Sequence, residues 1–283
     1  MDSQPFDDIR ALIGELKPAD EAARARSVQH LGQTVPSGAL GSLEPVVGWI
    51  AGWRGVPTLH RPIIALYAGA HAGDDVAATR TLLEAIAAGM APVSRAASHL
   101  GAGLDVFDLA IDRPVGDPAL GPTMSERECA ATMAFGMEAL AKQPDLLVLG
   151  ALGGGVNAAA TALAHALFEP GADPLQSLRR FGGRETAAIC GAIVAAGSQR
   201  VPVLLEGYPA AVAAAALHAV APEAIAHCRV GQIGGQPGHR DLIERIGLSP
   251  LFDLGIMVED GTGSTAALSL IKLACAVPLE TMI

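Results

Sequence analysis

The amino-acid sequence predicts an α/β fold: a Rossmann-like parallel sheet with helices on both faces, together with a small helical subdomain. Three observations lead to this prediction. Short apolar runs alternate with longer alanine-rich segments, glycine clusters follow several of these runs, and 283 residues, 51% of them hydrophobic, are enough to bury a large core. Parallel strands need long crossover segments between them, and the alanine-rich segments are long enough to be crossover helices.

Predicted strands and helices alternate through the middle of the chain. The strand-like runs are 61–69, 103–111, 145–150, 201–207 and 224–230. The helical segments are 77–89, 126–142, 156–168, 184–198 and 209–220. Ser125 and Glu128 have the spacing of a capping box, which gives the helix that follows a local start signal.

The two ends of the chain differ from the middle. The first part contains helical segments, FDDIRALIGELK and DEAARARSVQHLG, and no clear strand, while 263–277 is one more apolar helix. We expect residues 1–58 and 263–283 to pack together as the helical subdomain. Residues 59–262 then form the α/β domain.

Composition favours small molecules as partners. A formal net charge of −10 without any Lys/Arg cluster argues against nucleic acid. Each apolar run is interrupted well before the roughly 18 residues that suggest a membrane span, and the acidic amino terminus lacks the basic start of a secretory signal, so we expect a cytoplasmic protein. Four distant cysteines without a CxxC pair predict buried free thiols and no metal site: Cys129, Cys190, Cys228 and Cys275.

The stretch DLLVLGALGGGVNAAATALAHALF (145–168) joins a predicted strand to a predicted helix through a glycine turn. Such a turn directs backbone N–H groups and the positive end of a helix dipole to one point, which predicts a phosphate or carboxylate site at Gly153, Gly154 and Gly155. The G-x-G-x-x-A pattern ends at Ala158, but no acidic residue ends a strand about 20 positions later, which argues against a dinucleotide cofactor. Alternatively, the glycines only allow the helix to pack closely against the sheet.

Three further glycine clusters lie where loops are predicted: RFGGRETAAICGA (180–192), VGQIGGQPGHRDL (230–242) and VEDGTGSTAAL (258–268). Loops that follow parallel strands converge at the carboxyl ends of those strands, where ligands bind. We therefore expect one cleft surrounded by the glycines of these loops: Gly153–Gly155, Gly182–Gly183, Gly207 and Gly261–Gly263.

The order and spacing of these motifs resemble the nicotinate-nucleotide:dimethylbenzimidazole phosphoribosyltransferase family over nearly the whole chain. The matching stretches are, in order, PSGALGSLEPVVGWIAGW, YAGAHAG, GPTMSERECA, GALGGGVNAAA, GGRETAAICGAIVAA, VPVLLEGYPAAVAAAAL, PGHRDLIERIGLSPLFDLG and EDGTGSTAALSLIK. None of these stretches is specific by itself, and the resemblance rests on their order.

The resemblance implies a phosphoribosyltransferase of cobalamin lower-ligand synthesis that works as a homodimer. In the reaction it implies, a benzimidazole nitrogen attacks the ribose C1 of nicotinate mononucleotide, and nicotinate leaves as α-ribazole phosphate forms. This chemistry needs a carboxylate base for the other ring proton, a phosphate cradle and a flat apolar slot. It needs neither a metal nor a cofactor.

Carried over residue by residue, the resemblance implies that the base is Asp260, with Glu259 beside it. The glycine loops and the strand ends supply the predicted substrate-binding residues. These are Gly153, Gly154, Gly155, Asn157, Gly182, Gly183, Glu185, Glu206, Gly207, Gly261, Thr262, Gly263 and His71.

Several charged residues of the family are absent from this chain. Ala151 and Met257 stand where the family has Glu and Arg, and Asp260 is one methylene shorter than the Glu of the family. The loop after the glycine-turn helix is shortened to FEPGAD, and an early Gly-Asp-His-Gly motif is reduced to GAHA (69–72). Since the glycines and the apolar framework remain, the pattern fits a changed or inactive site on an intact fold.

Structural roles are alternatives for several of these residues. Asp260 is suited to cap the last helix, His71 to a core or turn position, and Glu185 to the first turn of a helix, where the dipole favours an acid. Two functions remain open for the whole chain. One is an active phosphoribosyltransferase with Asp260 or Glu259 as base, and the other is a non-catalytic relative that binds a base or nucleotide or pairs with an active enzyme.

Overall fold

The computed structural model describes residues 4–277, which form a parallel sheet between two layers of helices. The strands are β1 (Pro62–Ala68), β2 (Gly103–Asp108), β3 (Leu146–Leu152), β4 (Val203–Leu205), β5 (Cys228–Gln232) and β6 (Pro250–Phe252). Their order is β2-β1-β3-β4-β5-β6, and all neighbours pair in parallel. The predicted fold class is confirmed.

The helices cover both faces of this sheet. They are α1 (Pro5–Gly14), α2 (Glu21–Thr34), α3 (Glu44–Arg54), α4 (Val76–Ala87), α5 (Pro92–Leu100), α6 (Glu126–Gly136), α7 (Val156–Leu167), α8 (Pro174–Phe181), α9 (Arg184–Ser198), α10 (Gly207–Val220), α11 (His239–Arg245) and α12 (Thr262–Ala276). The first core contains side chains of α1 and α6 to α11. The second core contains side chains of α2 to α5 and α12.

The central strands are buried on both faces, and β1 shows how their side chains divide. Ile63 and Tyr67 belong to the first core, whereas Ile64 and Leu66 belong to the second. Every residue of β1 is buried. A strand covered by helices on both sides has no solvent-facing positions, which explains why the predicted strands are continuously apolar rather than alternating.

The strand order reverses between β1 and β3. From β1 the chain crosses to β2 through α4 and α5, whereas from β3 it proceeds away from β1 to β4, β5 and β6. Loops at such a switch point leave in opposite directions, which opens a crevice at the carboxyl ends of the two strands. This crevice lies beside the glycine turn that follows β3.

The sequence predicts five of the six strands, and the differences have local causes. The run 224–230 becomes a strand only from Cys228, because a short 3₁₀ helix occupies Pro222–Ile225. Strand β6 is missing from the prediction, since three residues are too few to display a period. At α6, the Ser125 hydroxyl caps the helix by accepting a hydrogen bond from the Glu128 N–H at 3.1 Å.

The terminal helices pack in two places. Helix α3 contacts both α2 and α12, and α12 also contacts α5 and β5. Helix α1 lies in the first core, where it contacts α6. The division into a helical subdomain (1–58 with 263–283) and an α/β domain (59–262) stays a prediction, and residues 1–3 and 278–283 of that division lie outside the described residues.

The stretch Val76–Leu100 is long and apolar enough to cross a membrane by length and composition alone. In the structure it forms two separate helices, because α4 ends before Gly89, whose φ of 71° is left-handed, and Pro92 begins α5. Each helix is well below the roughly 20 residues needed to cross a bilayer. A single stretch of this kind is weak evidence for a membrane span.

Candidate functional site

A cavity of about 260 Å³ opens at the carboxyl ends of β3 and β4. Its walls are α4, the turn from β3 into α7, the start of α10 and the loop before α12. Six of the predicted site residues line it: Gly153, Gly154, Asn157, Glu206, Gly207 and Glu259. The structure thus brings together residues that lie more than 100 positions apart in the sequence.

The glycine turn after β3 requires glycine at two positions. Gly153 has φ 133°, and a Cβ atom there would lie 2.2 Å from the carbonyl oxygen of Gly69, in the turn after β1. Gly155 has φ 69° and is the N-cap of α7. The two turns at the switch point therefore touch through their backbones, and the first residues of α7 are directed toward the cavity.

Glu206 follows β4 and joins the cavity to the start of α12. Its Oε2 accepts a hydrogen bond from the backbone N–H of Ser264 at 2.6 Å, and the residue is 4% exposed. Burial raises the pKa of Glu206 to about 7, and the charge of Asp260 acts in the same direction, while the hydrogen bonds from Ser264 oppose it. A carboxyl group of this kind exchanges a proton near neutral pH.

Glu259 forms the opposite side of the cavity and is held by α7. Its Oε2 accepts a hydrogen bond from the Asn157 Nδ2 at 2.6 Å. The Oδ1 of Asn157 is buried and has no hydrogen-bond partner among the described residues. The amide of Asn157 can thus orient the carboxylate of Glu259 and also accept a hydrogen bond from a ligand.

Asp260 lies behind this wall, among the residues that begin α12. Its Oδ1 accepts a hydrogen bond from the backbone N–H of Thr262 at 3.0 Å, and the residue is 4% exposed. Gly261, with φ 98°, is the N-cap of the helix, and the Cα of Gly263 lies against the side chain of Gln232. Asp260 thus precedes the N-cap instead of occupying it, although its side chain does bond the backbone at the start of the helix. The role of Asp260 as a base stays a prediction.

His71 and Glu185 form a buried pair beneath the glycine turn. The distance from the His71 Nε2 to the Glu185 Oε1 is 3.1 Å, and Glu185 is completely buried. Burial lowers the pKa of His71, but the hydrogen bond and charge of Glu185 outweigh it, so that the pKa is raised overall. Gly182 and Gly183 join α8 to α9 and place Glu185 in the first helical turn. These four residues lie beside the cavity rather than on its wall.

The cavity also contains residues that sequence analysis does not select. Thr79 and Leu82 of α4 line it, and the backbone N–H of Ser264 donates a hydrogen bond to Glu206. Their positions follow from the packing of α4 and α12 over the strand ends. The α4 segment shows no pattern that points to a ligand, and in the stretch 258–268 the prediction names the glycines, Thr262 and the acidic residues but not Ser264. Ala151 also lines the cavity, where it supplies no charged group, and Met257 is 67% exposed on the nearby loop. Within residues 4–277, no group of three or more His, Cys, Asp or Glu side chains is placed to hold a metal ion.

Known proteins match this chain along nearly its whole length. A family model described as phosphoribosyltransferase matches residues 16–171 and 168–282. The two matches meet at the loop between α7 and α8, where the sequence predicts a shortened segment.

Two relatives carry the name nicotinate-nucleotide–dimethylbenzimidazole phosphoribosyltransferase. The protein of Brucella anthropi is 40% identical over 314 residues, covering 95% of this chain and 93% of that protein. The protein of Agrobacterium fabrum is 40% identical over 319 residues, covering 98% and 93%. Both alignments are longer than this chain of 283 residues, so the relatives contain segments that have no counterpart here.

A solved structure shares the fold as well. The crystal structure of the nicotinate-nucleotide–dimethylbenzimidazole phosphoribosyltransferase from Thermus thermophilus superimposes with a TM-score of 0.83 at 26% identity, covering 92% of this chain and 96% of that one. Agreement in sequence and fold leads to one conclusion. The chain belongs to the nicotinate-nucleotide–dimethylbenzimidazole phosphoribosyltransferase family.

Proposed function

We propose that this chain transfers phosphoribose from nicotinate mononucleotide to a benzimidazole-type base and forms α-ribazole phosphate. The observation that carries the proposal is the cavity at the ends of β3 and β4, where two carboxylates, Glu206 and Glu259, stand beside a glycine turn. Backbone N–H groups at the start of α7 suit the phosphate, and the carboxylates suit a ring N–H. Family membership supports the same substrates.

The proposed reaction is a displacement at the ribose C1. The free ring nitrogen of the base forms a bond to C1, the bond from C1 to the nicotinate nitrogen breaks, and its electron pair stays with nicotinate. The N–H proton of the other ring nitrogen then passes to a carboxylate of the cavity wall. Each bond formed is matched by one broken, so the step needs no oxidant or reductant.

Glu206 is our first candidate for the proton acceptor. Because its pKa is about 7, a substantial fraction is ionised at neutral pH and the ionised form is a stronger base than an ordinary carboxylate. Glu259, which Asn157 orients, is the second candidate on the same wall. Asp260 does not line the cavity, and its role as a base stays a prediction. Its charge favours protonation of Glu206.

The test is a product assay with a matched pair of variants. Purified protein is incubated with nicotinate mononucleotide and 5,6-dimethylbenzimidazole, and nicotinate and α-ribazole phosphate are quantified by mass spectrometry. Glu206→Gln is expected to lower turnover by about 10²- to 10⁴-fold, as for loss of a general base. Glu15→Gln makes the same chemical change on an exposed side chain outside the cavity and is expected to leave turnover unchanged. Absence of product with the unmodified protein contradicts the proposal.

The replaced family residues favour a second candidate, a non-catalytic relative that binds a base or nucleotide or pairs with an active enzyme. Neither Ala151 on the cavity wall nor the exposed Met257 offers a charged group to a phosphate. A thermal-shift series with each substrate separates the two candidates, because any ligand that prefers the native state raises its melting temperature. A shift without product supports the non-catalytic candidate.

We also propose a homodimer that resides in the cytoplasm. Three large apolar side chains are exposed on the loop between β6 and α12: Leu254 at 71%, Met257 at 67% and Val258 at 48%. A second copy of the chain could cover such a patch. The four cysteines are all free and buried, which suits a reducing compartment. Sedimentation velocity at micromolar concentration is expected to give a dimer, and a monomer would contradict this part of the proposal.

A further inference from the structure

A second cavity, of about 280 Å³, lies at the amino-terminal edge of the sheet, opposite the proposed active site. It is enclosed by the loop before α2, by α2 and α3, and by the segment that leads into β5. Trp49 and Trp53 line it, and each is only 4% exposed. The cavity shares no lining residue with the one that contains Glu206, so the two sites are separate.

Two arginines approach this cavity. Arg229 of β5 is half-buried, stacks over the ring of Trp49 at 5.7 Å from the ring centroid, and donates a hydrogen bond from Nη1 to the Cys228 carbonyl at 3.1 Å. Among residues 4–277, no carboxylate lies within ion-pair distance of its guanidinium. Arg24 of α2 lines the same cavity, and its only ion pair among these residues is a 3.5 Å contact with the exposed Glu21.

Among residues 4–277, the guanidinium of Arg229 therefore has no carboxylate in direct contact. Burial lowers its pKa, and the nearby positive charge of Arg24 lowers it further, while Cys228 acts in the opposite direction. Arg229 is partly exposed, so its guanidinium can contact both solvent and a ligand in the cavity. The remaining charged groups on the wall, Lys17, Glu21 and Glu223, are all exposed to solvent.

The walls of the cavity are fixed by hydrogen bonds. Arg200 donates from Nη1 to the Pro18 carbonyl at 3.0 Å and from Nη2 to the Gly52 carbonyl at 2.8 Å, which ties the loop before α2 to α3. The indole Nε1 of Trp49 donates to the His227 carbonyl at 3.2 Å. A cavity whose aromatic and backbone walls are held in this way is formed before a ligand arrives.

We propose that this cavity binds a small organic anion, whose carboxylate or phosphate lies between Arg24 and Arg229 and whose flat apolar part lies against Trp49. A guanidinium group matches the geometry of a carboxylate or phosphate and can bind it through two parallel hydrogen bonds. The volume lies just below the roughly 300 to 1,000 Å³ of typical ligand pockets, so the ligand is a single-ring acid rather than a dinucleotide.

The chain offers a specific reporter for this site. It contains two tryptophans, Trp49 and Trp53, and both line the cavity, so its intrinsic tryptophan fluorescence arises entirely from this site. Benzoate is titrated into the full chain, with benzamide as a neutral ligand of nearly the same shape and inorganic phosphate as an anion without a ring. Benzoate is expected to change the fluorescence in a saturable way, phosphate to bind more weakly, and benzamide to have no saturable effect.

Variants test the role of each guanidinium. Arg229→Met and Arg24→Met are each expected to weaken benzoate binding about tenfold or more, since a charge-assisted hydrogen bond is lost. Arg26→Met removes the same charge from an exposed position on the same helix that does not line the cavity, and is expected to leave binding unchanged. Arg24 is exposed on a helix surface, so its variant tests the proposal even if Arg229→Met does not fold.

Several results would overturn this proposal. These are the absence of a saturable change with benzoate at millimolar concentration, an equal response to benzamide, or unchanged binding in both arginine variants. None of these measurements depends on turnover, so failure of the proposed phosphoribosyl transfer would leave the outcome readable.

Discussion

Replacing Glu206 by glutamine should make the protein more stable at alkaline pH while removing most of its activity. The amide oxygen of glutamine can still accept the hydrogen bond that Ser264 donates to Glu206, so the geometry of the site is kept. What changes is the charge. The variant therefore isolates the free energy of keeping one ionised carboxylate in a buried position.

The magnitude follows from the pKa of Glu206, which burial raises from 4.5 to about 7. Below pH 4.5, Glu206 is protonated in both the folded and the unfolded chain, so it adds no pH dependence to the free energy of unfolding. Between the two values the unfolded chain releases the proton while the folded chain keeps it, so the free energy of unfolding falls as pH rises. Above pH 7 the loss is complete and amounts to about 3 kcal/mol, since one pKa unit corresponds to about 1.4 kcal/mol.

Urea unfolding of the unmodified protein and of Glu206→Gln, between about pH 5 and pH 8.5, measures the difference in their free energies of unfolding directly. We expect nearly equal stabilities in acid and a gap that widens to about 3 kcal/mol in favour of Glu206→Gln, or roughly 5 °C in melting temperature for a chain of this size. Other titrating groups, such as His71 with its raised pKa, are common to both proteins and cancel in the difference. Ionising the buried Glu206 is thus expected to destabilise the fold. This expectation would be refuted if the free energy of unfolding had the same pH dependence in both proteins, or if the variant were less stable at every pH.

Three further predictions concern the surroundings of the cavity. Gly153→Ala should destabilise the fold by at least about 2 kcal/mol, because a Cβ atom would lie 2.2 Å from a carbonyl oxygen, and unchanged urea unfolding would refute it. His71→Ala should cost about 3 to 5 kcal/mol in the same assay, since it leaves Glu185 buried without its partner; a loss below 1 kcal/mol would mean that water replaces the histidine. Asn157→Ala should raise the KM for nicotinate mononucleotide about tenfold, if the proposed transfer occurs, because it removes the unpartnered Oδ1 that can accept a hydrogen bond from the ligand; a change in kcat alone would indicate that Asn157 acts only by orienting Glu259.

The fold class, and the strand ends at which the cavity opens, can be predicted from the amino-acid sequence without any coordinates. Strands buried on both faces must be apolar at every position, so β1 and β3 are visible as continuous runs such as RPIIALYAG. The glycines after β3 are equally visible, because the backbone conformation and the close approach at Gly153 exclude a side chain. Apolar strand runs and turn glycines can therefore be recognised in the sequence without knowing which segments pack against them.

Which acidic groups face the cavity depends instead on the packing of distant segments. Glu259 and Asp260 are adjacent in the sequence, yet one lines the cavity and the other turns inward to bond the backbone of Thr262. Their directions depend on how the loop before α12 meets the sheet, and no local pattern records this. The raised pKa of Glu206 likewise comes from helix α12 packing over the strand ends, about 60 residues away in the chain, because burial is a property of the assembled fold.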